Sequence, residues 1–258
     1  MTNIFRAFTP FLYAFVNVLL FELFLFFPKL LPIWFILIIL SLGASVWFIL
    51  GPGLKTPFTR VCFFFSPLLF LTALCLFILF LNQGLVSHIL LAGCSALVGF
   101  YLYQVFVYVW QHSKYTPFSL ENISSALNIL TLFLLSSSAF ATKLFLDLKI
   151  FALAPLIGLA AFLLTLHTFW VNKCPLQKTG YIMLLTNTLL LMEFFIALSW
   201  LPLEFLSLGA ILSIIGYVLF ELLRSFITQT SSRTTIKQRL LFGALLIILI
   251  ALTAKWKL

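Results

Sequence analysis

Two carboxylates of this chain lie inside long apolar stretches, where an ionisable group is costly. Glu22 follows Asn17 by five residues, and Glu193 follows Asn187 by six. Charged side chains within apolar membrane segments are rare, and they commonly mark paths for protons or ions. We therefore take these four residues as candidates for a proton or cation site where the first and seventh apolar segments meet. The alternative is that each glutamate is protonated or hydrogen-bonded between helices and serves assembly.

The spacing of these residues limits how they cooperate within one helix. A helix turns by about 100° per residue, so five positions correspond to about 140° and six to about 240°. Neither asparagine is therefore expected on the same helix face as its glutamate. The pattern predicts no ready-made site on a single helix.

A histidine in the sixth apolar segment is the other candidate for chemistry. His167 lies between Thr165 and Thr168, with no second metal ligand three or four residues away. A lone histidine at such a position does not make a metal site. A proton relay and a packing role both remain open, and we include His167 among the residues of a candidate substrate or ion pathway. We expect no metal and no cofactor, and we favour a role other than an enzyme.

Composition places the whole chain in a membrane. Of its 258 residues 64% are hydrophobic and 8% are charged, against about 25% charged in soluble domains. Apolar runs of about 20 residues, the length that crosses a bilayer core, recur along the chain. The net charge of +9 comes from basic residues between these runs. Those residues are explained by topology and lipid headgroups, so we expect no nucleic-acid partner.

The elements that must position these residues are nine apolar segments. A proline phrase opens four of these apolar runs: Thr9-Pro10, Thr56-Pro57, Thr116-Pro117 and Cys174-Pro175. Threonine caps free amides and proline fits a first turn, so each phrase is interpreted as the start of a helical hairpin. We predict an all-α, polytopic bundle of about nine transmembrane helices in a single domain, residues 1–258, arranged as four hairpins plus a terminal span. The expected spans are 8–27, 30–50, 61–81, 85–110, 122–141, 150–171, 181–200, 204–223 and 240–254.

Each returning helix carries a glycine among small residues. These glycines are Gly43, Gly93, Gly158 and Gly209, and small residues let helices approach closely in lipid. The first and third are 115 residues apart and the second and fourth are 116 apart. The near-equal offsets favour a hypothesis of duplicated halves, residues 1–113 and 114–223.

The distribution of Lys and Arg predicts the orientation. With the N-terminus assigned to one side, that side carries ten of the fifteen basic residues. The positive-inside rule makes it cytoplasmic. We expect a multi-pass protein of the plasma (cytoplasmic) membrane with a cytoplasmic N-terminus and a C-terminus outside. A basic loop at 224–239 is interpreted as a topology anchor, with docking of a membrane or cytosolic protein partner or of anionic lipid as the alternative.

Three function classes fit this organisation. Many spans, little soluble mass and two buried carboxylates favour a transporter or the membrane subunit of one. The scarcity of polar groups supports a structural or assembly subunit of a membrane complex. An enzyme acting on lipid-linked substrates is the third, and it is the least favoured because its usual motifs are missing. The lipid bilayer is the one partner that the sequence specifies.

Overall fold

The computed structural model describes residues 2–51, 57–81, 84–172, 178–228, 233–254 and 256. Within them the chain forms nine α-helices and, apart from an isolated bridge, no β-structure. Each helix contains a stretch long and apolar enough to cross a membrane. The predicted class, an all-α polytopic membrane bundle, is confirmed. The helices are α1 (Thr2–Phe26), α2 (Leu31–Leu50), α3 (Pro57–Ile78), α4 (Leu85–Trp110), α5 (Ser119–Leu146), α6 (Ile150–Val171), α7 (Lys178–Leu198), α8 (Phe205–Thr228) and α9 (Arg233–Thr253).

Helix ends differ most from the sequence prediction where basic residues flank an apolar run. The spans of α4 and α6 match the expected bounds, whereas α5 has 28 residues and α9 has 21. The segment 224–239, expected as a loop, is mostly helical, because α8 continues to Thr228 and α9 begins at Arg233. Basic side chains reach headgroup water from a helix as easily as from a loop, so hydropathy alone ends these helices too early.

The proline phrases do not all start helices. Pro57 is the first residue of α3 and Pro117 lies just before α5, as expected. Pro10, however, lies inside α1, which begins at Thr2. The Thr9 hydroxyl donates back to the carbonyl of Phe5 at 3.0 Å instead of capping a first turn. The prediction for the first phrase was therefore wrong, and Cys174-Pro175 lies outside the described residues.

The chain forms two compact units, and the boundary between them lies within α5. In the first, Met1–Leu127, helix α1 packs against α2 and α4, and α2 also contacts α3 and α4. At one end of this unit the guanidinium of Arg6 lies 4.3 Å from the ring centroid of Trp110. The indole N–H of Trp110 in turn donates to the carbonyl of Ile49 at 2.7 Å. These contacts join the beginning of α1 to the last turns of α2 and α4.

One glycine sets the separation of α1 and α4. A Cβ added to Gly99 would lie 2.7 Å from the Cβ of Ala14 and 3.1 Å from the carbonyl oxygen of Pro10. Both distances are shorter than ordinary van der Waals contact, and one of the two atoms belongs to the backbone. The two helices can approach this closely only because position 99 has no side chain.

In the second unit, Asn128–Leu258, helix α6 packs against α7 and α8, and α8 packs against α9. The α8–α9 contact is held by a charged cluster. A guanidinium nitrogen of Arg239 lies 2.7 Å from the carboxylate of Glu221 and donates to the Ser225 hydroxyl at 2.8 Å. Arg224 lies 3.7 Å from the same carboxylate. Two basic residues of the segment 224–239 are thus ion-paired within the hairpin.

A pair of glycine substitutions on α4 tests the close contact. We expect Gly99→Ala to destabilise the protein by about 1–3 kcal/mol, because overpacking a tight contact shifts backbone or side chains. Gly93→Ala is the matched control, since a Cβ there meets no described atom within 4 Å. Thermal unfolding in detergent compares the two variants. Equal melting temperatures would contradict the assigned close contact.

Candidate functional site

The contact between α1 and α4 carries a buried amide–hydroxyl hydrogen bond. The side-chain amide of Asn17 donates to the hydroxyl of Ser95 at 3.1 Å, and both residues are completely buried. A polar side chain in an apolar bundle needs such a partner, because the bilayer supplies none. Asn17, one of the candidate site residues, therefore lies at the centre of a helix contact.

An acid–base pair lies further along the same contact. Nδ1 of His88 lies 2.9 and 2.8 Å from the two carboxylate oxygens of Glu22. The side chains are 43% and 29% exposed, respectively, so the described helices do not enclose the pair completely. Glu22 is four residues from the end of α1 and His88 three residues from the start of α4. The pair therefore lies about one turn from the helix ends, within reach of the membrane surface.

Asn17 and Glu22 both reach α4 although about 140° separates them around α1. Asn17 is completely buried and contacts α4 directly. Glu22 lies at the margin of the contact, where its longer side chain extends to His88. The expectation that the two residues occupy different faces describes their helix positions correctly, but side-chain length brings both to the same neighbour.

Two buried polar atoms further along α1 have unmet hydrogen-bonding capacity. The carbonyl oxygen of the Asn17 side chain and the hydroxyl of Tyr13 are buried, and neither has a hydrogen-bond partner within the described residues. Tyr13 and Asn17 are four residues apart and so lie on one side of α1. Buried polar atoms of this kind are commonly satisfied by bound water.

Asn187, the second candidate asparagine, also forms a hydrogen bond between two helices, in the second unit. Asn187 on α7 donates to the hydroxyl of Thr165 on α6 at 2.7 Å, and both side chains are buried. Thr165 donates in turn to the carbonyl of Ala161 at 2.7 Å. Asn187 therefore joins α7 to α6 in the way that Asn17 joins α1 to α4.

His167 is fully enclosed and shares a neighbour with Thr168. The amide of Asn128 on α5 donates to the Thr168 hydroxyl at 3.2 Å, and its nitrogen lies 3.4 Å from Nδ1 of His167. Nε2 of His167 is buried without a hydrogen-bond partner in the described part of the chain. His167 therefore contacts α5 through Asn128. The sequence around His167 does not predict this contact.

Glu193 differs from Glu22, because it lies on an exposed stripe of α7. Ile182, Leu185 and Leu189 are 56%, 54% and 54% exposed, and they precede Glu193 at helical spacing on the same side. Asn187 points inward from this helix and Glu193 outward, as their separation of about 240° requires. Glu22 belongs to the first unit and Glu193 to the second, so a single site containing both carboxylates stays a prediction.

The four candidate packing glycines have different surroundings. Gly209 lies directly against Ser137, whose neighbour Ser136 donates to the Gly209 carbonyl at 3.4 Å. A Cβ on Gly158 would lie 3.0 Å from the sulfur of Met192. For Gly43 the nearest such atom, in the ring of Phe64, is 3.8 Å away. Gly93 is exposed, and Gly99, on the same helix, makes the closer approach.

Glu121, another acidic residue, accepts a hydrogen bond from a residue close to it in the sequence. The hydroxyl of Tyr115, in the connection before α5, donates to the carboxylate of Glu121 at 2.7 Å. Burial and this hydrogen bond raise the pKa of Tyr115 to about 12. The hydroxyl therefore stays protonated at neutral pH and holds Glu121 near the start of α5, where a negative charge favours the helix dipole.

Side chains that coordinate metals do not cluster in the described parts of the chain: no group of three or more His, Cys, Asp or Glu is found there.

Comparison of the chain with models of protein families, with curated proteins and with solved structures found no match. The site is therefore described by its own geometry. Sequence reasoning missed the partners His88, Ser95 and Asn128, and the signal available was that each is a polar residue inside or beside an apolar run.

A double-mutant cycle on Asn187 and Thr165 measures the buried hydrogen bond. We compare Asn187→Leu, Thr165→Val and the double variant by unfolding in detergent. Hydrogen bonds between membrane helices average about 0.6 kcal/mol and reach about 1.7 kcal/mol, so we expect a coupling energy in this range. A coupling energy indistinguishable from zero would mean that the bond does not stabilise the α6–α7 contact.

Proposed function

We propose that this multi-pass membrane protein is a transporter, or the membrane subunit of one, in which the Glu22–His88 pair binds a proton. The observation that carries the proposal is a carboxylate and an imidazole in contact at 2.8 Å within two apolar helices. Such a pair can exchange a proton with water while keeping a hydrogen bond in each protonation state. Intramembrane carboxylates and histidines are typical of proton relays in transport proteins.

Polar atoms of Asn17 and Tyr13 would continue the proposed proton path from the Glu22–His88 pair into the bundle. Along α1 the rise per residue places Asn17 about 7.5 Å from Glu22 and Tyr13 about 6 Å further. These separations along the helix axis exceed a direct hydrogen bond, so the proposed path requires bridging waters between the groups. The partnerless oxygens of Asn17 and Tyr13 are the groups that such waters would satisfy. We propose that α1 and α4 line the proton path.

Removing the carboxylate tests this role. Purified protein is reconstituted in vesicles, and solute-evoked currents are recorded under an imposed pH gradient with panels of amino acids, sugars and inorganic ions. Proton transfer by a positioned group is commonly worth about a hundredfold or more. We therefore expect Glu22→Gln and His88→Gln to reduce any evoked current by more than about tenfold.

Glu204→Gln is the matched control, because Glu204 lies before the first turn of α8 and outside the α1–α4 contact. Its current should remain close to that of the unmodified chain. Undiminished currents in both Glu22→Gln and His88→Gln would contradict a proton role for the pair. The absence of a current with every solute would favour the second function below.

An assembly role is favoured by a different observation, the exposure of Glu193 on an apolar face of α7. A carboxylate facing hydrocarbon is unfavourable unless it is protonated or paired with a group on another protein. We propose, as the second candidate, that α7 binds a transmembrane helix that carries a basic or amide side chain. The chain would then be a structural subunit of a membrane complex.

Purification from native membranes in mild detergent tests this second function. We expect a stoichiometric membrane protein to accompany the unmodified chain and the Glu204→Gln control. Loss of one charge-assisted contact commonly costs about 1.5–3 kcal/mol, so Glu193→Gln should lower recovery of the partner by about tenfold or more. Recovery of the chain alone, or of equal partner with Glu193→Gln, would exclude the assembly role of this face.

The orientation and the role of the segment 224–239 are part of the same proposal. The excess of basic residues on one side supports a cytoplasmic N-terminus and an outer C-terminus in the plasma membrane. Within the segment, Arg224 and Arg239 are paired with Glu221, while Lys237 is exposed. A cytosolic partner or anionic lipid would therefore meet Lys237 before the paired arginines.

A further inference from the structure

A pocket of about 330 Å³ opens at one end of the second unit, beside the last turn of α5 and the turn between α7 and α8. Its apolar wall includes Phe140, Leu144 and Phe205. Two charged side chains of opposite sign, Lys143 and Asp147, also line it. This volume is at the lower limit for small-molecule sites. It fits a headgroup and the first part of a chain, but not a whole lipid.

The lysine is held in place without using all of its hydrogen-bonding capacity. Nζ of Lys143 donates to the backbone carbonyl of Ser199, which also lines the pocket. An ammonium group has three N–H donors, so two remain for a ligand. The contact with Ser199 fixes the positive charge at the pocket, where it can bind an anionic oxygen.

The C-terminal end of α5 does not explain why an aspartate stands at position 147. Asp147 follows the last residue of α5 with a φ of 51°, a left-handed conformation in which Gly or Asn is usual. A carboxylate at a helix C-terminus also opposes the helix dipole. Asp147 is exposed and forms no ion pair with a described residue. Its negative charge is therefore available to a ligand.

Several features place this pocket at the level of the lipid headgroups. A helix of 28 residues such as α5 is about 42 Å long, against about 30 Å for the hydrocarbon layer, so its ends extend into the interface. Trp200, in the turn beside the pocket, is 79% exposed. Trp256, 51% exposed, forms a β-bridge with the pocket residue Leu203. Exposed tryptophans of membrane proteins concentrate at the headgroup level.

We propose that this pocket binds a phospholipid whose headgroup carries both a phosphate and a primary amine. The phosphate accepts hydrogen bonds from Lys143, the ammonium donates to Asp147, and the upper acyl chain lies along Phe140 and Leu144. A purely anionic headgroup leaves Asp147 unpaired, and a quaternary ammonium has no N–H to donate to it. The charge pair thus selects phosphatidylethanolamine-type lipids over phosphatidylglycerol and phosphatidylcholine.

Native mass spectrometry tests the proposal with the full-length protein. The protein is released from vesicles that contain equal amounts of dioleoyl phosphatidylethanolamine, phosphatidylcholine and phosphatidylglycerol, and the bound lipid is identified. A hydrogen bond to a charged group commonly contributes about 1.5–3 kcal/mol, so we expect about tenfold preference for phosphatidylethanolamine over phosphatidylcholine. Equal binding of these two lipids would overturn the assignment.

Substitutions distinguish the roles of Lys143 and Asp147 from a general attraction of basic residues to the membrane surface. Asp147→Asn keeps a residue that tolerates the left-handed conformation, and it should reduce the preference to within about twofold. Lys143→Gln should lower binding of all three lipids, whereas Lys143→Arg should retain it. Lys149→Gln is the matched control, because it removes a nearby positive charge that does not line the pocket. Unchanged preference in Asp147→Asn, or equal losses in Lys143→Gln and Lys149→Gln, would refute the site.

Free phosphoethanolamine distinguishes a lipid from a soluble ligand with the same charges. If the acyl chain contributes, this headgroup alone should not displace bound phosphatidylethanolamine at equal concentration. Displacement by equimolar phosphoethanolamine would assign the pocket to a soluble zwitterion and overturn the lipid assignment.

Discussion

Hydrogen bonding between helices is the constraint on which helix packing within each unit depends. Hydrocarbon offers no partner to a polar side chain, so a buried amide or hydroxyl is stabilised by a partner on its own or a neighbouring helix. Asn17 and Ser95 meet this requirement between α1 and α4, and Asn187 and Thr165 meet it between α7 and α6. These bonds join particular helix faces, and close packing of small residues contributes to the same contacts.

Close backbone approach makes the Asn17–Ser95 hydrogen bond possible. Gly99 lies four residues from Ser95 on α4 and lets α1 come near enough for the short side chain of Ser95 to reach Asn17. A serine hydroxyl extends little beyond its Cβ, so a wider separation would leave both residues unpaired. The small residue and the polar pair are therefore parts of one contact, and the Glu22–His88 pair lies between the same two helices.

Three glutamates within the helices differ in their surroundings. Glu22 pairs with His88, and the two side chains share a hydrogen bond. Glu221 pairs with two arginines, whose charge is permanent, and it fastens α8 to α9. Glu193 faces outward from α7. Of these three glutamates only Glu22 has a histidine partner, and the pair lies about one turn from the helix ends, which is why the proposed transport role rests on it.

Hydropathy and length predicted the class and much of the helix pattern, because a bilayer fixes both the polarity and the length of a span. The bounds of α4 and α6 agree with the expected spans. Pro10 misled the prediction for α1, since a proline is also tolerated within a membrane helix, where neighbouring groups satisfy the freed carbonyl. The length of α9 was underestimated, because its first residues are basic and polar yet remain helical.

The candidate site was predictable in part. Asn17 and Glu22 attract attention as polar residues in an apolar run, but their partners Ser95 and His88 are 78 and 66 residues away along the chain. No local pattern connects them. The exposed position of Glu193, beside a buried Asn187 on the same helix, likewise depends on which side of α7 meets α6.

The sequence by itself determined that this chain crosses a membrane repeatedly and which residues are chemically unusual there, because composition and period are local properties. Only the tertiary structure decided which unusual residues meet, which helix face is covered and where a lysine and an aspartate share a pocket. Those outcomes depend on helix packing, and packing is set by complementary shapes and hydrogen bonds between distant parts of the chain.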